Sequence, residues 1–256
     1  MNKTIPKLKY QASTLDQSLG SIHGFLNPYK NEWDWSDIIY KEYPVLKTRL
    51  KGIKKVKDRK VAELSFFKEF IKTNDINLKN IAETFQCSWD KDGNEFFIRL
   101  AEITEADWTG IPKEVIASVS LNSINPRFIQ NSTFDLFYGS SLKFAKSTSV
   151  HELFHFIYFN KWRQVFPKTK EREFDAPRLI WHLSEMIPKI VLNDQRLQKI
   201  FRHEFHSYDI YENAVLDDKP LLSYLQNFYN KRKDFEDFLK NSWDFVQKNK
   251  KIIQAL

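Results

Sequence analysis

The sequence predicts an α+β fold in which a small sheet lies between two helical regions. Before position 89, apolar residues mostly recur at helical spacing. Between positions 95 and 138, three segments are rich in aromatic and β-branched residues, which is typical of strands. Helical spacing returns after position 148, and this order of elements is typical of α+β proteins. Because no stretch has the composition of a linker, we expect one domain over residues 1–256, with a helical N-terminal subdomain at 1–88 as the alternative.

The N-terminal region is predicted to contain three helices, at Trp35–Leu50, Asp58–Thr73 and Asn77–Ser88. Ser36 can cap the first helix, since a serine oxygen accepts a hydrogen bond from a free backbone N–H of the first turn. Pro44 should break or kink that helix, because proline has no N–H to donate. The other two helices are indicated by apolar residues repeated on one face.

The sheet is predicted to contain three strands, at Glu95–Ile103, Val115–Leu121 and Thr133–Tyr138. A turn signal at Asp90–Asn94 precedes the first strand. The second strand alternates apolar residues with serines, as expected of a strand with one buried face. The connections between the strands are too short to contain crossover helices, so we expect a small, mostly antiparallel sheet.

The C-terminal half is predicted to be helical from Thr148 onward, because apolar residues again follow the helical period. The expected helices are Thr148–Phe166, Ala176–Leu192, Gln195–Phe205, Pro220–Tyr229 and Lys233–Lys250.

Cysteine content and hydropathy limit where the protein is expected to function. The single cysteine, Cys87, excludes a disulfide within one chain and a zinc knuckle built from cysteines. The segment Met1–Leu19 is polar, and no stretch approaches 18 consecutive apolar residues. We therefore expect a cytoplasmic protein without a membrane-spanning segment.

The chain is basic, with a formal net charge of +7, and its densest group of cations lies between Lys47 and Lys60. Such a group can bind nucleic acid or another anionic surface. It is equally typical of the solvated surface of a lysine-rich protein, and the spread of charge along the chain favours this interpretation. The group also lacks interleaved aromatic residues on which bases would stack.

The segment His151-Glu152-Leu153-Phe154-His155 contains the pattern His-Glu-x-x-His among apolar neighbours. Residues four apart on a helix lie one turn above each other, so His151 and His155 can bind the same metal ion. Glu152 lies about 100° around the helix axis from His151, where it can reach a water molecule beside the ion. Two neutral imidazoles and one carboxylate base are the groups that zinc hydrolysis requires.

A catalytic zinc ion usually has three protein ligands, so a third must come from elsewhere in the chain. The metzincin continuation is absent, since its glycine and histidine positions hold Tyr158 and Lys161. Glu185 is the best candidate, because a helix–loop–helix return would bring it over the motif. His182, one turn earlier on the same predicted helix, and Asp175 are the alternatives.

The motif and Glu185 together resemble the gluzincins, which are zinc peptidases of the thermolysin-like superfamily. The resemblance implies a zincin-like fold, one zinc ion held by His151, His155 and Glu185, and Glu152 as general base. It also implies that an edge strand of the sheet, Thr133–Tyr138 or Val115–Leu121, pairs with an extended peptide or protein substrate.

The resemblance also favours Glu185 over His182 as the third ligand. One position departs from the family pattern. Thermolysin-like enzymes often carry an acidic residue four positions after the third ligand, where it orients a ligand histidine. This chain has Lys189 at that position.

A peptidase also needs a donor for the oxyanion of its tetrahedral intermediate, and His206, Tyr208 and Tyr211 are candidates. Each of them is equally compatible with a purely structural role. The leading interpretation is a zinc metallopeptidase. A non-proteolytic zinc hydrolase shares the same chemistry. The alternative from another class is a binding or regulatory protein, with nucleic acid as a less favoured partner, whose metal site is structural or degenerate.

Overall fold

The computed structural model describes residues 5–27 and 34–256 and shows an α+β protein that is mostly helical. The α+β class predicted from the sequence is therefore confirmed. Within the described residues, no helix combines the length and hydrophobicity that crossing a bilayer requires. The only cysteine in the sequence, Cys87, is exposed and has a free thiol.

The described chain divides into two compact units, each assembled from separate stretches of sequence. The unit that contains the sheet, called the sheet unit below, comprises Leu8–Trp89 and Glu114–Ser149. The other, called the helical unit, comprises residues 5–7, Asp90–Lys113 and Val150–Leu256.

The first part of the chain forms most of the sheet unit, and its helices match the predicted ones closely. Its elements are β1 (Lys7–Ala12), α1 (Leu15–Leu26), α2 (Ser36–Glu42), α3 (Pro44–Leu50), α4 (Val56–Thr73), α5 (Leu78–Trp89), β2 (Glu114–Ser120), β3 (Arg127–Phe128) and β4 (Thr133–Phe137). Pro44 separates α2 from α3, as its missing N–H predicted. The elements β1, α1 and β3 were not predicted from the sequence.

The sheet has the strand order β1-β2-β4-β3 and is mixed, so the prediction of a mostly antiparallel sheet was wrong. Strands β2 and β4 run parallel, with Ile116 opposite Thr133 and Ser120 opposite Phe137. Within the described residues, β3 pairs antiparallel with β4 through two residues. Both candidates for a substrate-binding edge strand, β2 and β4, are inner strands, so that prediction was wrong. Parallel neighbours need a connection of about a dozen residues, and the segment from Leu121 to Ser132 supplies it without an α-helix.

The segment Glu95–Ile103, predicted as a strand, is instead part of helix α6 (Gly93–Thr104). Phe96, Phe97, Leu100 and Ile103 are all buried, at the spacing of one helical face. The periodicity was therefore a better guide than the abundance of aromatic residues, which suit the buried face of either element.

The core of the sheet unit forms around Tyr43, which is almost completely buried. Its ring packs edge-on against Phe66, Phe67 and Phe70, with centroids 6.1, 4.9 and 5.2 Å away. Its hydroxyl donates a hydrogen bond of 2.7 Å to the carbonyl oxygen of Leu121, directly after β2. The helices α2 and α4 are thereby joined to the end of a central strand.

Helix α7 (Leu142–Val165) begins in the sheet unit and continues in the helical unit. It starts six residues earlier than the predicted Thr148, because Ser141 accepts a hydrogen bond of 3.2 Å from the backbone N–H of Phe144. The rest of the helical unit contains α8 (Leu179–Leu192), α9 (Gln195–Phe201), α10 (Asp209–Glu212), β5 (Val215–Leu216), β6 (Lys219–Pro220), α11 (Leu221–Lys231), α12 (Phe235–Lys248) and α13 (Lys250–Ile253).

The helices α7, α8, α9, α11 and α12 confirm the five predicted for this half of the chain, with shifted ends. Aromatic side chains of α7 build the core of the helical unit. Phe159 packs against Phe174 at 4.6 Å between ring centroids, and Trp162 against Trp243 of α12 at 5.4 Å. This packing holds the second half of α7 in a buried position.

Candidate metal centre

His151 and His155 lie one above the other in the central turns of α7, as their four-residue spacing requires. Their Nε2 atoms are 2.9 Å apart. Leu153, Phe154 and Ile157 from the same turns are fully buried, so this part of the helix is surrounded by apolar packing. Polar groups in such a place need partners, because desolvation is otherwise costly.

Glu185 of α8 supplies a carboxylate to both imidazoles. Its Oε2 atom lies 3.2 Å from His151 Nε2 and 3.5 Å from His155 Nε2. The polar stretch between α7 and α8 includes a short 3₁₀ helix, Glu171–Phe174, and returns the chain so that α8 meets α7 at this point. The side chains of His155 and Glu185 are 0% and 1% exposed, whereas that of His151 is 23% exposed. Solvent therefore reaches the cluster on the His151 side.

The spacing of these three ligand atoms suits a metal ion. Around a tetrahedral ion with ligands about 2.0–2.2 Å away, ligand atoms lie roughly 3.3–3.6 Å from one another. The observed separations of 2.9, 3.2 and 3.5 Å are close to this range. His151, His155 and Glu185 could therefore hold a metal ion, and two imidazoles with one carboxylate form a donor set that several first-row divalent metals accept.

Glu152 follows the first histidine on the same turn of α7, and its side chain is also inside the protein, with 6% of the residue exposed. Helical geometry turns it about 100° away from His151. It therefore lies off the helix face that carries the two histidines, and it is not part of the group of potential ligand atoms among the described residues.

Two aromatic residues of α7 border the cluster. The ring of Phe159 lies nearly parallel to that of His155, with 5.9 Å between centroids and 19° between planes. Tyr158 is fully buried, and its hydroxyl has no hydrogen-bond partner among the residues that the structure describes. Burial, and secondly the charge of Glu185, raise the pKa of Tyr158 well above its ordinary value, so the phenol stays protonated.

His182 lies one turn before Glu185 on α8 and faces a different partner. Its Nδ1 atom is 2.7 Å from the hydroxyl of Tyr211. Burial lowers the pKa of His182, although the carbonyl of Pro177 and the charge of Glu185 act in the opposite direction. Neither His182 nor Asp175, which follows the short 3₁₀ helix, belongs to the group of ligand atoms around Glu185.

A segment after α9 supports α8 through contacts that were not predicted from the sequence. The hydroxyl of Ser207 donates a hydrogen bond of 2.8 Å to the backbone carbonyl of Glu185, and the backbone N–H of Ser207 donates one of 2.9 Å to Glu212. Lys189 also donates to the Glu212 carboxylate. Burial acts to raise the pKa of Glu212, but the bonds from Lys189 and Ser207 outweigh it and lower that pKa. Lys189, which stands where thermolysin-like enzymes often carry an acidic residue, is therefore paired with Glu212.

The three candidate oxyanion donors occupy different environments. The side chain of His206 is 65% exposed and lies 3.8 Å from Glu212, and Tyr208 is 42% exposed. Tyr211 is fully buried, and its hydroxyl is the one that contacts His182. Burial raises the pKa of Tyr211, with the charges of Glu185 and Tyr208 adding to the effect. Tyr211 is thus a neutral phenol that is close enough to Glu185 to be affected by its charge.

Comparisons of this chain with models of protein families, with curated proteins and with solved structures found no match.

Proposed function

We propose that the protein is a zinc-dependent hydrolase and that its substrates are peptide bonds. The observation that carries this proposal is the meeting of His151, His155 and Glu185 within hydrogen-bonding distances, with Glu152 on the same turn of α7. A metal site with a purely structural role would not require a carboxylate at position 152. The peptide substrate and a zincin-like fold rest on the gluzincin resemblance of these four residues.

The residues of the chain divide the proposed reaction between them. Zinc, when bound, would supply Lewis acidity that polarises a carbonyl group and acidifies water. His151, His155 and Glu185 would hold it, and solvent reaches these residues on the side of His151. Glu152 would accept the proton of the attacking water and return it to the leaving amine. The hydrogen bond from the Ser207 hydroxyl to the backbone carbonyl of Glu185 would keep Glu185 in place.

The experiment compares metal content and hydrolysis in protein purified with zinc and without chelators. We expect close to one zinc ion per chain and cleavage of members of a peptide library. Glu152→Gln should retain the zinc and lose activity by about 100-fold or more, because it removes the base and spares the ligands. Glu185→Gln, a nearly isosteric change, should lose zinc as well.

Glu83→Gln is the matched control, since Glu83 is exposed on α5 of the other unit, and it should change neither quantity. Protein without stoichiometric zinc, or a Glu152→Gln variant as active as the natural chain, would refute the proposal.

A further inference from the structure

The basic stretch Lys47–Lys60 folds into a concavity that the proposed hydrolase does not use. The end of α3, the turn after it and the first turn of α4 border an open concavity of about 720 Å³ in the sheet unit. Gly52 makes the turn possible, since its φ of +81° lies in the left-handed region. A volume of this size lies within the range of small-molecule sites.

Cations line this cavity. Lys47, Lys51, Lys54 and Arg59 border it, together with Tyr40, and none of its lining residues in the described chain is acidic. Lys47 is paired with the carboxylate of Asp37 at 3.3 Å, and that aspartate is largely exposed. The four lining cations and Asp37 together carry a net formal charge of +3.

The hydrogen bonds of Arg59 within the protein are long, so its guanidinium keeps N–H donors for a ligand. Its Nη1 and Nη2 atoms are each 3.5 Å from an acceptor, the carbonyl of Ile53 and the hydroxyl of Tyr40, and both distances are at the limit of a hydrogen bond. Its Nε atom is buried and has no partner within residues 5–27 and 34–256. A guanidinium has five N–H donors in a planar fork that matches phosphate oxygens.

We propose that this cavity binds a small molecule carrying at least two phosphate groups. Two phosphates bring roughly three negative charges, which would balance the net +3 of the lining. The concave shape favours a compact ligand over a nucleic-acid strand. The one lining aromatic ring, Tyr40, has the Lys47 ammonium 5.3 Å from its centroid, so that face is not open for a base to stack on.

The test is isothermal titration of the full chain with inorganic pyrophosphate at low ionic strength, alongside inorganic phosphate and a single-stranded dT20 oligonucleotide. We expect one pyrophosphate site, at least tenfold tighter than that for phosphate. The double variant Lys51→Gln/Lys54→Gln should weaken it tenfold or more. Both lysines are exposed, so the variant should fold, which circular dichroism verifies. Arg59→Lys, which keeps the charge and removes the fork, should weaken binding as well.

Lys231→Gln/Lys233→Gln is the matched control, because it removes the same charge from exposed positions of the helical unit. We expect it to change pyrophosphate affinity by less than twofold. Absence of pyrophosphate binding, or equal weakening in the control, would overturn the proposal. Tighter binding of dT20 than of pyrophosphate, lost in Lys51→Gln/Lys54→Gln, would overturn it in favour of nucleic acid.

Discussion

Tyr158 and Tyr211 are both fully buried in the helical unit, and they differ in what their hydroxyl groups contact. That of Tyr211 lies 2.7 Å from His182, whereas that of Tyr158 has no hydrogen-bond partner in the described part of the chain. A buried hydroxyl without a partner is a net cost, and a buried imidazole that loses its partner is also a cost.

We expect Tyr158→Phe to leave the free energy of unfolding unchanged or to raise it by about 1 kcal/mol. Tyr211→Phe should lower it by roughly 1–3 kcal/mol, because His182 then loses the bond at Nδ1. Urea unfolding of the two variants side by side measures both effects. A destabilised Tyr158→Phe would show that this hydroxyl has a partner beyond the described contacts.

Asp135 on β4 should make the stability of the protein depend on pH, because its carboxyl group is buried in the sheet unit. Burial raises its pKa to about 6, against a smaller opposing effect of a hydrogen bond from Ser21. An unfolded aspartate titrates near 4, so between about pH 4 and 6 the folded chain binds more protons than the unfolded one. The contribution of Asp135 to the free energy of unfolding is therefore fully present below about pH 4 and is lost as the pH rises through about 6.

We expect Asp135→Asn to stabilise the protein at pH 7 by an amount on the order of 3 kcal/mol, and to remove this part of the pH dependence. Asp244→Asn, at an exposed position of α12, is the control and should not change the slope. Denaturant unfolding at pH 5 and pH 7 tests the prediction. An unchanged slope in Asp135→Asn would show that the carboxyl is solvated.

At the scale of elements, amphipathic helices were predictable and strand partners were not. Helices such as α4 and α5 have their apolar residues on one face, which is a local property of the sequence. The direction of β2 and β4 depends on how the chain travels between them, which is not local. Likewise, β1 is a short and partly polar strand that only its neighbour in the sheet defines.

In the candidate site, too, local features were predictable from the sequence and non-local ones were not. His151, Glu152 and His155 were predictable because four-residue spacing on a helix fixes their relation. Glu185 required an assumption about how α8 returns, supported by resemblance. The hydrogen bond from Ser207 to the carbonyl of Glu185 had no sequence signal, because a serine 22 residues away has no preferred partner.

The length of α7 has a consequence for the two histidines of the candidate metal centre. The motif lies in the central turns of a 24-residue helix, and fraying is confined to terminal turns. We expect backbone amides 151–155 to exchange slowly with deuterium whether zinc or EDTA is present, while those of the first turn near Leu142 exchange quickly. Hydrogen-exchange mass spectrometry of the two samples measures this. Rapid exchange at 151–155 in EDTA would mean that metal binding organises the helix.

At the scale of the whole molecule, the two units are interleaved along the chain. The sheet unit takes Leu8–Trp89 from one stretch and β2 and β4 from another, with α6 between them. Its core includes Leu121, whose carbonyl oxygen is the acceptor for Tyr43. The N-terminal helices therefore share their core with residues that follow α6.

We expect a fragment of residues 1–88 to lack cooperative unfolding, because it would leave the sheet and part of this core behind. A fragment of residues 1–149, which contains the complete sheet unit, should show a urea transition by circular dichroism. Cooperative unfolding of the shorter fragment would instead support an independent N-terminal subdomain.

The single exposed thiol of Cys87 offers a way to relate the two units in solution. It lies on α5 of the sheet unit, and the sequence has no second cysteine to compete for a label. A nitroxide attached there reports from one unit, while a paramagnetic ion such as Mn²⁺ or Cu²⁺ at His151, His155 and Glu185 would report from the other. The magnetic coupling between the nitroxide and the ion would measure the distance from Cys87 to the candidate metal centre.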